Sequence, residues 1–360
     1  MRKHYLDNIR YITVILVVFY HVFYMYNAEG ILGGLGKITD LDVQYYDLFM
    51  YIVYPWMMPL LFIVSGISSK LYLDKHSEKE FLRSRTQKLL VPSTVGLFVF
   101  QFIQGYISMA LGDAFATIQN VPGPVKYLIM VLSGSGVLWY IQLLWVLSVL
   151  LVLIRRIEKD RLQKITVKTG IPALVLLYAA VWASAQILNT PVIIVYRFGF
   201  YGMMFLTGYY IFSHDEVIGV LKKNCFLFTA AAAVTGILFC RIYFPLNFAD
   251  APVNRSLLFT AYAWSACLAF LSIAAKYLDF ESRFTKLMKK RSFGLYIFHY
   301  LGISACALFI AKPGILPPAA VYPLSLAAGF LAGWLLYEVI RRIPFLRWAV
   351  LGITKEKDHV

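Results

Sequence analysis

Read from the N-terminus, the chain alternates long apolar runs with short polar, mostly basic connections. A helix needs roughly 20 apolar residues to cross the ~30 Å hydrocarbon core of a bilayer. Ten segments meet that test: 9–27, 45–70, 89–111, 137–154, 170–188, 194–212, 225–243, 256–275, 293–311 and 322–340. Their connections set an orientation, because cytoplasmic loops collect lysine and arginine. Of the 34 basic residues, 28 fall on the side that also holds both termini; only Lys37, Lys126, Arg197, Arg241, Arg255 and Lys312 fall on the other. A wrong span count would scramble this alternation. The pattern predicts an all-α integral membrane protein with about ten transmembrane helices, both termini cytoplasmic, and one membrane domain over 1–360.

Two stretches depart from plain crossings. The second apolar run, YYDLFMYIVYPWMMPLLFIVSGISSKLYL, carries Pro55, Pro59 and Gly66 and is too long for one straight crossing. It predicts a kinked or broken helix, a feature tolerated at membrane depth only against protein or a water-filled cavity. The outer connection from about 112 to 136, with NVPGPVKYLIMVLSGSG, is long enough for a short interfacial helix.

Composition agrees with this pattern. The chain is 60% hydrophobic and 15% charged, against about 45–50% and 25% in soluble domains, and its mean hydropathy is +0.69. A net charge of +15 would suggest nucleic acid in a soluble protein; here juxtamembrane cations explain it, and no nucleic-acid partner is expected. The first apolar run is too long for a cleaved signal peptide, and no small-x-small site follows it cleanly. Cys225, Cys240, Cys267 and Cys306 have neither metal nor disulfide spacing and read as small apolar packing groups.

The chemistry-bearing anomaly is VVFYHVFYMY, residues 17–26, where His21 sits deep in the first apolar run. His21 lies eleven residues after Arg10, and eleven steps of 100° return a helix to within about 20° of its start. Arg10 at the cytoplasmic edge and His21 at depth therefore share a face, ~16 Å apart, with Asp7 and Tyr24 close to the same stripe. Ionisable residues inside a bilayer face the bundle interior and mark sites; the structural alternative is a neutral ring donating one interhelical hydrogen bond.

HYLDNIRYITVILVVFYH resembles the opening of the membrane acyltransferase family 3, in which an arginine is followed, after ten residues, by a histidine. MPLLFIVSGISS (58–69), FLRSRTQKLLVP (81–92), LWYIQLL (138–144), FLTGYY (205–210) and SFGLYIFH (292–299) resemble further family blocks in the expected order. The details of the second block are most similar to the branch that includes the glucan succinyltransferase, without an appended esterase-like domain. One departure lies in the basic loop, where the family's two arginines three positions apart are here Arg85 and Lys88. Lysine keeps the charge but loses the bidentate fork.

The resemblance implies transfer of an acetyl or succinyl group from cytoplasmic acyl-coenzyme A, a co-substrate rather than a bound cofactor, to a hydroxyl of an extracytoplasmic glycan or lipid-linked sugar. A multi-pass protein of the cell membrane, bacterial by its resemblance, is implied. An alcohol attacking a thioester needs a base, and neutral His21 is the candidate. A covalent acyl-histidine is the other role open to it, and Tyr20, Tyr24 and Asp7 are candidates to orient it. Arg10, Arg83, Arg85 and Lys88 are candidates to hold the coenzyme's phosphates, although orientation alone also requires a basic loop. Arg197, Trp139 and Tyr140 are candidates for the acceptor, and Tyr296 with His299 for lining the donor channel. Each has a structural alternative as a snorkelling cation, an interface anchor or a hydrogen-bonded core group. A transporter of a glycan precursor, with His21 in a proton relay, is the competing class. Such folds show related halves and paired broken helices, and the chain has no clear repeat.

Overall fold

The computed structural model describes residues 3–188 and 196–354. Arg2, Lys355 and Lys357 of the charge pattern, and the start of the sixth apolar segment, lie outside the described residues. In chain order the helices are α1 His4–Met25, α2 Leu48–Leu73, α3 Glu78–Leu111, α4 Gly123–Ser133, α5 Trp139–Glu158, α6 Arg161–Thr166 and α7 Ile171–Gln186. They continue as α8 Phe198–Tyr210, α9 Asp215–Lys223, α10 Cys225–Tyr243, α11 Leu257–Tyr277, α12 Arg283–Ala311, α13 Pro318–Arg342 and α14 Pro344–Leu351. Among the described residues there is no strand.

Among the described residues, eight helices are long and apolar enough to cross a membrane: α1, α2, α3, α5, α10, α11, α12 and α13. The fifth and sixth expected crossings are shorter helices, α7 of 16 residues and α8 of 13. At 1.5 Å per residue these reach about 24 and 20 Å, less than a hydrocarbon core. α7 stops where Ile187 turns extended (φ −110°, ψ 139°). The expected short helix in the outer connection is α4.

Of the kinked or broken helix expected for the second crossing, the break does not occur. α2 runs without interruption for 26 residues with Pro55 and Pro59 inside it. Each proline removes one backbone donor, from the Tyr51 and Pro55 carbonyls; the neighbouring Ile52 carbonyl accepts from Trp56 Nε1 at 2.7 Å and from Tyr262 Oη at 2.6 Å. At about 39 Å, α2 exceeds a straight crossing, an excess that tilting absorbs.

The chain forms two compact units. The first comprises Met1–Leu16, Leu48–Leu82 and Val146–Lys289. α2 and α8 meet there backbone to backbone. A Cβ on Gly66 of SGISS would stand 2.1 Å from the Phe205 carbonyl oxygen, and one on Gly208 of FLTGYY 2.1 Å from that of Ile63. In lipid there is little hydrophobic drive between helices, so small residues that admit close packing hold them. An open apolar cavity of about 260 Å³ lies in the same unit between α5, the end of α7 and α8, lined by Leu147, Leu151, Ser184, Gly199, Gly202 and Leu206 among others.

The second unit comprises Val17–Asp47, Arg83–Trp145 and Lys290–Val360. Its α3 is wound as a wider π-helix at Thr86–Leu90 and Leu97–Gln101. Pro92 has no N–H to return to the Lys88 carbonyl, and the first π turn sits immediately before it, as such turns commonly do where the regular ladder is interrupted. α14 straps this turn: Gln87 Nε2 donates to the Gly352 carbonyl and to Thr354 Oγ1, both at 3.1 Å. Gln104 of α3 bonds Ser304 of α12 through both its amide atoms, at 3.0 and 3.2 Å. That pairing links α3 to α12 more than a turn beyond its histidine.

Candidate active site

The second unit brings two histidines together. His21 Nδ1 lies 2.8 Å from the Val17 carbonyl oxygen, one turn earlier on α1, and 3.1 Å from Nε2 of His299 on α12. The ring centroids are 4.9 Å apart. His299 is fully buried, and its Nδ1 faces two carbonyl oxygens, Leu295 at 3.0 Å and Tyr296 at 2.9 Å. A neutral imidazole has one donor and one acceptor nitrogen. Carbonyls only accept, so Nδ1 of His299 carries hydrogen and its Nε2 carries a lone pair. Nδ1 of His21 then faces two acceptors and must itself be the donor. The lone pair of His21 is left on Nε2, which makes no hydrogen bond among the described residues, on a ring only partly buried.

Tyrosines wall the pair. Tyr20, Tyr24 and Tyr300 present rings 5.2, 5.7 and 5.1 Å from that of His21. Tyr300 Oη donates to the Gly33 carbonyl at 2.8 Å, and Tyr24 Oη donates to that of Leu32. These two bonds hold the 26–47 loop against the histidines. The loop is further pinned by Leu35 N on the Met25 carbonyl at 2.7 Å and by the Asn27 side chain, which spans Ile31 N and O. Beyond His299, Tyr296 Oη donates to the Val137 carbonyl, and the Tyr296 ring meets Tyr140 at 5.9 Å, which meets Trp139 at 6.3 Å. Five residues marked in the sequence, His21, His299, Tyr296, Tyr140 and Trp139, thus form one continuous cluster.

The sequence left the partner of His21 open among Tyr20, Tyr24 and Asp7. The group on Nδ1 is His299, while Tyr20 and Tyr24 contribute ring contacts. Asp7 is engaged elsewhere, on Arg10 at 2.9 Å and Lys289 at 3.1 Å. Tyr300 and the Val17 carbonyl were not marked; the adjacency of Tyr300 to His299 was the one sequence signal for it.

The candidate donor-side cations fall in both units. In the first unit Arg10 Nη2 also donates to Ser68 Oγ, so the RYITVILVVFYH and SGISS blocks meet there. In the second unit Arg83 and Lys88 are exposed and Arg85 is half-buried, at and beside the first π turn of α3. Arg197, in the first unit, is 2% exposed, donates to Tyr54 Oη at 2.7 Å and the Ala249 carbonyl at 3.1 Å, and lies 5.3 Å from the Tyr54 and Phe259 ring centres. Among the described residues it has no carboxylate partner, and its Nε is sealed without a hydrogen bond. No group of three or more potential metal ligands occurs among the described residues.

Outside the crossings, Glu29 of the loop titrates unusually. Burial, and then the Asp47 carboxyl beside it, pushes it up to about 7. Asp47 itself is fully buried and accepts from Ala28 N at 3.2 Å and Gln44 Nε2 at 2.8 Å.

No curated protein and no solved structure matches the chain. A family model described as an acyltransferase domain matches residues 3–338. That span takes in the whole histidine cluster and every helix up to most of α13, and the chain belongs to the family 3 membrane acyltransferases.

Proposed function

We propose that this membrane acyltransferase is an O-acyltransferase that moves an acetyl or succinyl group from acyl-coenzyme A to a hydroxyl of a glycan or lipid-linked sugar. The observation that carries the reading is His21, held through Nδ1 so that the lone pair of Nε2 is free. A sugar hydroxyl is barely ionised at neutral pH. As its oxygen attacks the thioester carbonyl carbon, His21 Nε2 takes the hydroxyl proton; the carbon–sulfur bond then breaks and the proton returns to the leaving sulfur. Within the second unit, the phosphates of the donor are assigned to Arg85, Lys88 and Arg83, the donor arm to Tyr296, and the acceptor to Trp139 and Tyr140.

The test is release of free coenzyme A from acetyl- and succinyl-coenzyme A by purified protein in nanodiscs, with a gluco-oligosaccharide as acceptor. General bases typically contribute about 10²–10⁴-fold, so His21→Ala is expected to lose at least ~10²-fold in turnover while its thermal unfolding stays near that of wild type. A folded His21→Ala protein with undiminished turnover sinks the base role. Thermal stabilisation by coenzyme A that survives in His21→Ala and disappears in Arg85→Ala supports the donor assignment.

A further inference from the structure

His299 has no open ring atom with which to act on substrate. It is fully buried, and both nitrogens are engaged. We infer that His299 is a positioning residue, which locks His21 in the Nδ1–H tautomer and shares the charge of that ring when it takes up a proton. The inference rests on the base role proposed for His21 and extends it to the residue that makes the base competent.

Both histidines bond back to a carbonyl one turn earlier on their own helices, His21 to Val17 and His299 to Leu295. The donors therefore run one way: His21 Nδ1–H to His299 Nε2, then His299 Nδ1–H to the Leu295 and Tyr296 carbonyls. Reversing the tautomer of His21 alone sets its Nδ1 lone pair against the Val17 oxygen at 2.8 Å and the His299 lone pair at 3.1 Å. Reversing His299 as well sets its Nδ1 lone pair against two carbonyl oxygens. Each alternative leaves buried acceptors without a donor, a costly state. Reversing His299 alone sets two N–H groups against each other, so only the first arrangement pairs every nitrogen, and it keeps Nε2 of His21 basic.

The same contact changes strength during the reaction. When His21 Nε2 accepts the hydroxyl proton, the ring becomes cationic, and its Nδ1–H bond to His299 becomes charge-assisted, roughly twice as strong as a neutral bond. An interaction that tightens as charge develops accelerates the step itself. In many hydrolases a carboxylate holds this position. Here no carboxylate pairs with either ring among the described residues; the groups facing the pair are Tyr20, Tyr24, Tyr296 and Tyr300. A neutral imidazole backed by two carbonyls does the carboxylate's work without a fixed negative charge at membrane depth, where such charges are costly.

The experiment is ¹⁵N NMR of histidine-labelled protein in nanodiscs at neutral pH, on wild type, His299→Gln and His299→Phe, with His21→Ala to assign the His21 signals. The ring shifts tell a protonated nitrogen from a bare one without any substrate. Wild type is expected to show His21 as Nδ1–H with bare Nε2, His299→Gln to keep that state because its amide oxygen can accept from Nδ1, and His299→Phe to lose it. In the coenzyme A release assay, His299→Phe is expected to lower turnover by about 10²-fold with donor KM within about twofold, and His299→Gln to recover at least tenfold of the loss. His21 protonated on Nε2 in wild type overturns the inference, and this spectrum decides it even if a variant fails to fold. Equal turnover in folded Gln and Phe variants also overturns it. Unchanged turnover in a folded His21→Ala protein would instead retire the base role, a separable failure.

Discussion

At the scale of single residues, the site depends on hydrogen bonds whose loss is small in stability and large in geometry. Tyr300→Phe removes only the bond to the Gly33 carbonyl, worth about 1 kcal/mol. It is expected to lower the unfolding temperature by a few degrees and turnover by more than that change predicts, because the 26–47 loop is then held at the histidines by Tyr24 alone. Turnover and thermal unfolding measured on the same preparation check this. Glu29 supplies a pH-dependence with a defined sign. Its folded-state pKa is raised from about 4.5 to about 7, so folding favours the protonated form. Its contribution is fully present below about pH 4.5 and is lost as pH rises through about 7. Unfolding scans across that window are expected to show stability falling with pH in wild type and a flatter profile in Glu29→Gln; identical slopes would remove Glu29 as the cause. How His21 would act was partly readable from residues, because an ionisable group in an apolar run is conspicuous. The identity of its partner was not, since 278 positions separate the two rings and no local pattern encodes which face of α12 meets which face of α1.

At the scale of elements, the family-like blocks divide into packing and chemistry. SGISS and FLTGYY contain Gly66 and Gly208, where α2 and α8 touch through their backbones. Gly66→Ala places a methyl group 2.1 Å from the Phe205 carbonyl oxygen, and backbone must move to admit it. Overpacking of this kind costs on the order of 1–3 kcal/mol or more, so thermal unfolding is expected to drop by several degrees, with no rescue by donor. α14 acts on a different element. Just after it, the Gly352 carbonyl and Thr354 hydroxyl hold Gln87 in the π turn that carries Lys88 and follows Arg85. Gln87→Ala is expected to weaken stabilisation by coenzyme A severalfold while leaving His21-dependent chemistry at saturating donor intact. Equal stabilisation of wild type and variant would show that the strap does not order the basic turn. The prolines of α2 pointed toward a kink or a break, and the helix runs through both of them without a break.

At the scale of the whole molecule, length and charge predict an orientation that can be tested directly. On a background with the four native cysteines replaced, Lys37→Cys is expected to react with a membrane-impermeant thiol reagent from outside and Lys164→Cys only after the membrane is opened; both positions are exposed. The reverse labelling would invert the placement of donor and acceptor sides. The apolar runs, the basic alternation and the ordered motifs were enough for an all-α membrane acyltransferase, because burial in lipid demands long apolar helices and insertion demands asymmetric charge. The fifth and sixth apolar runs are the short helices α7 and α8, and α2 runs through its prolines, details of helix ends that hydropathy alone does not set. His21 stood out in one dimension through the cost of placing it there. Its pairing with His299, the direction of their protons and the tyrosine wall around them exist only in three dimensions, since the rotation and register of each helix are set by its packed neighbours rather than by its own sequence.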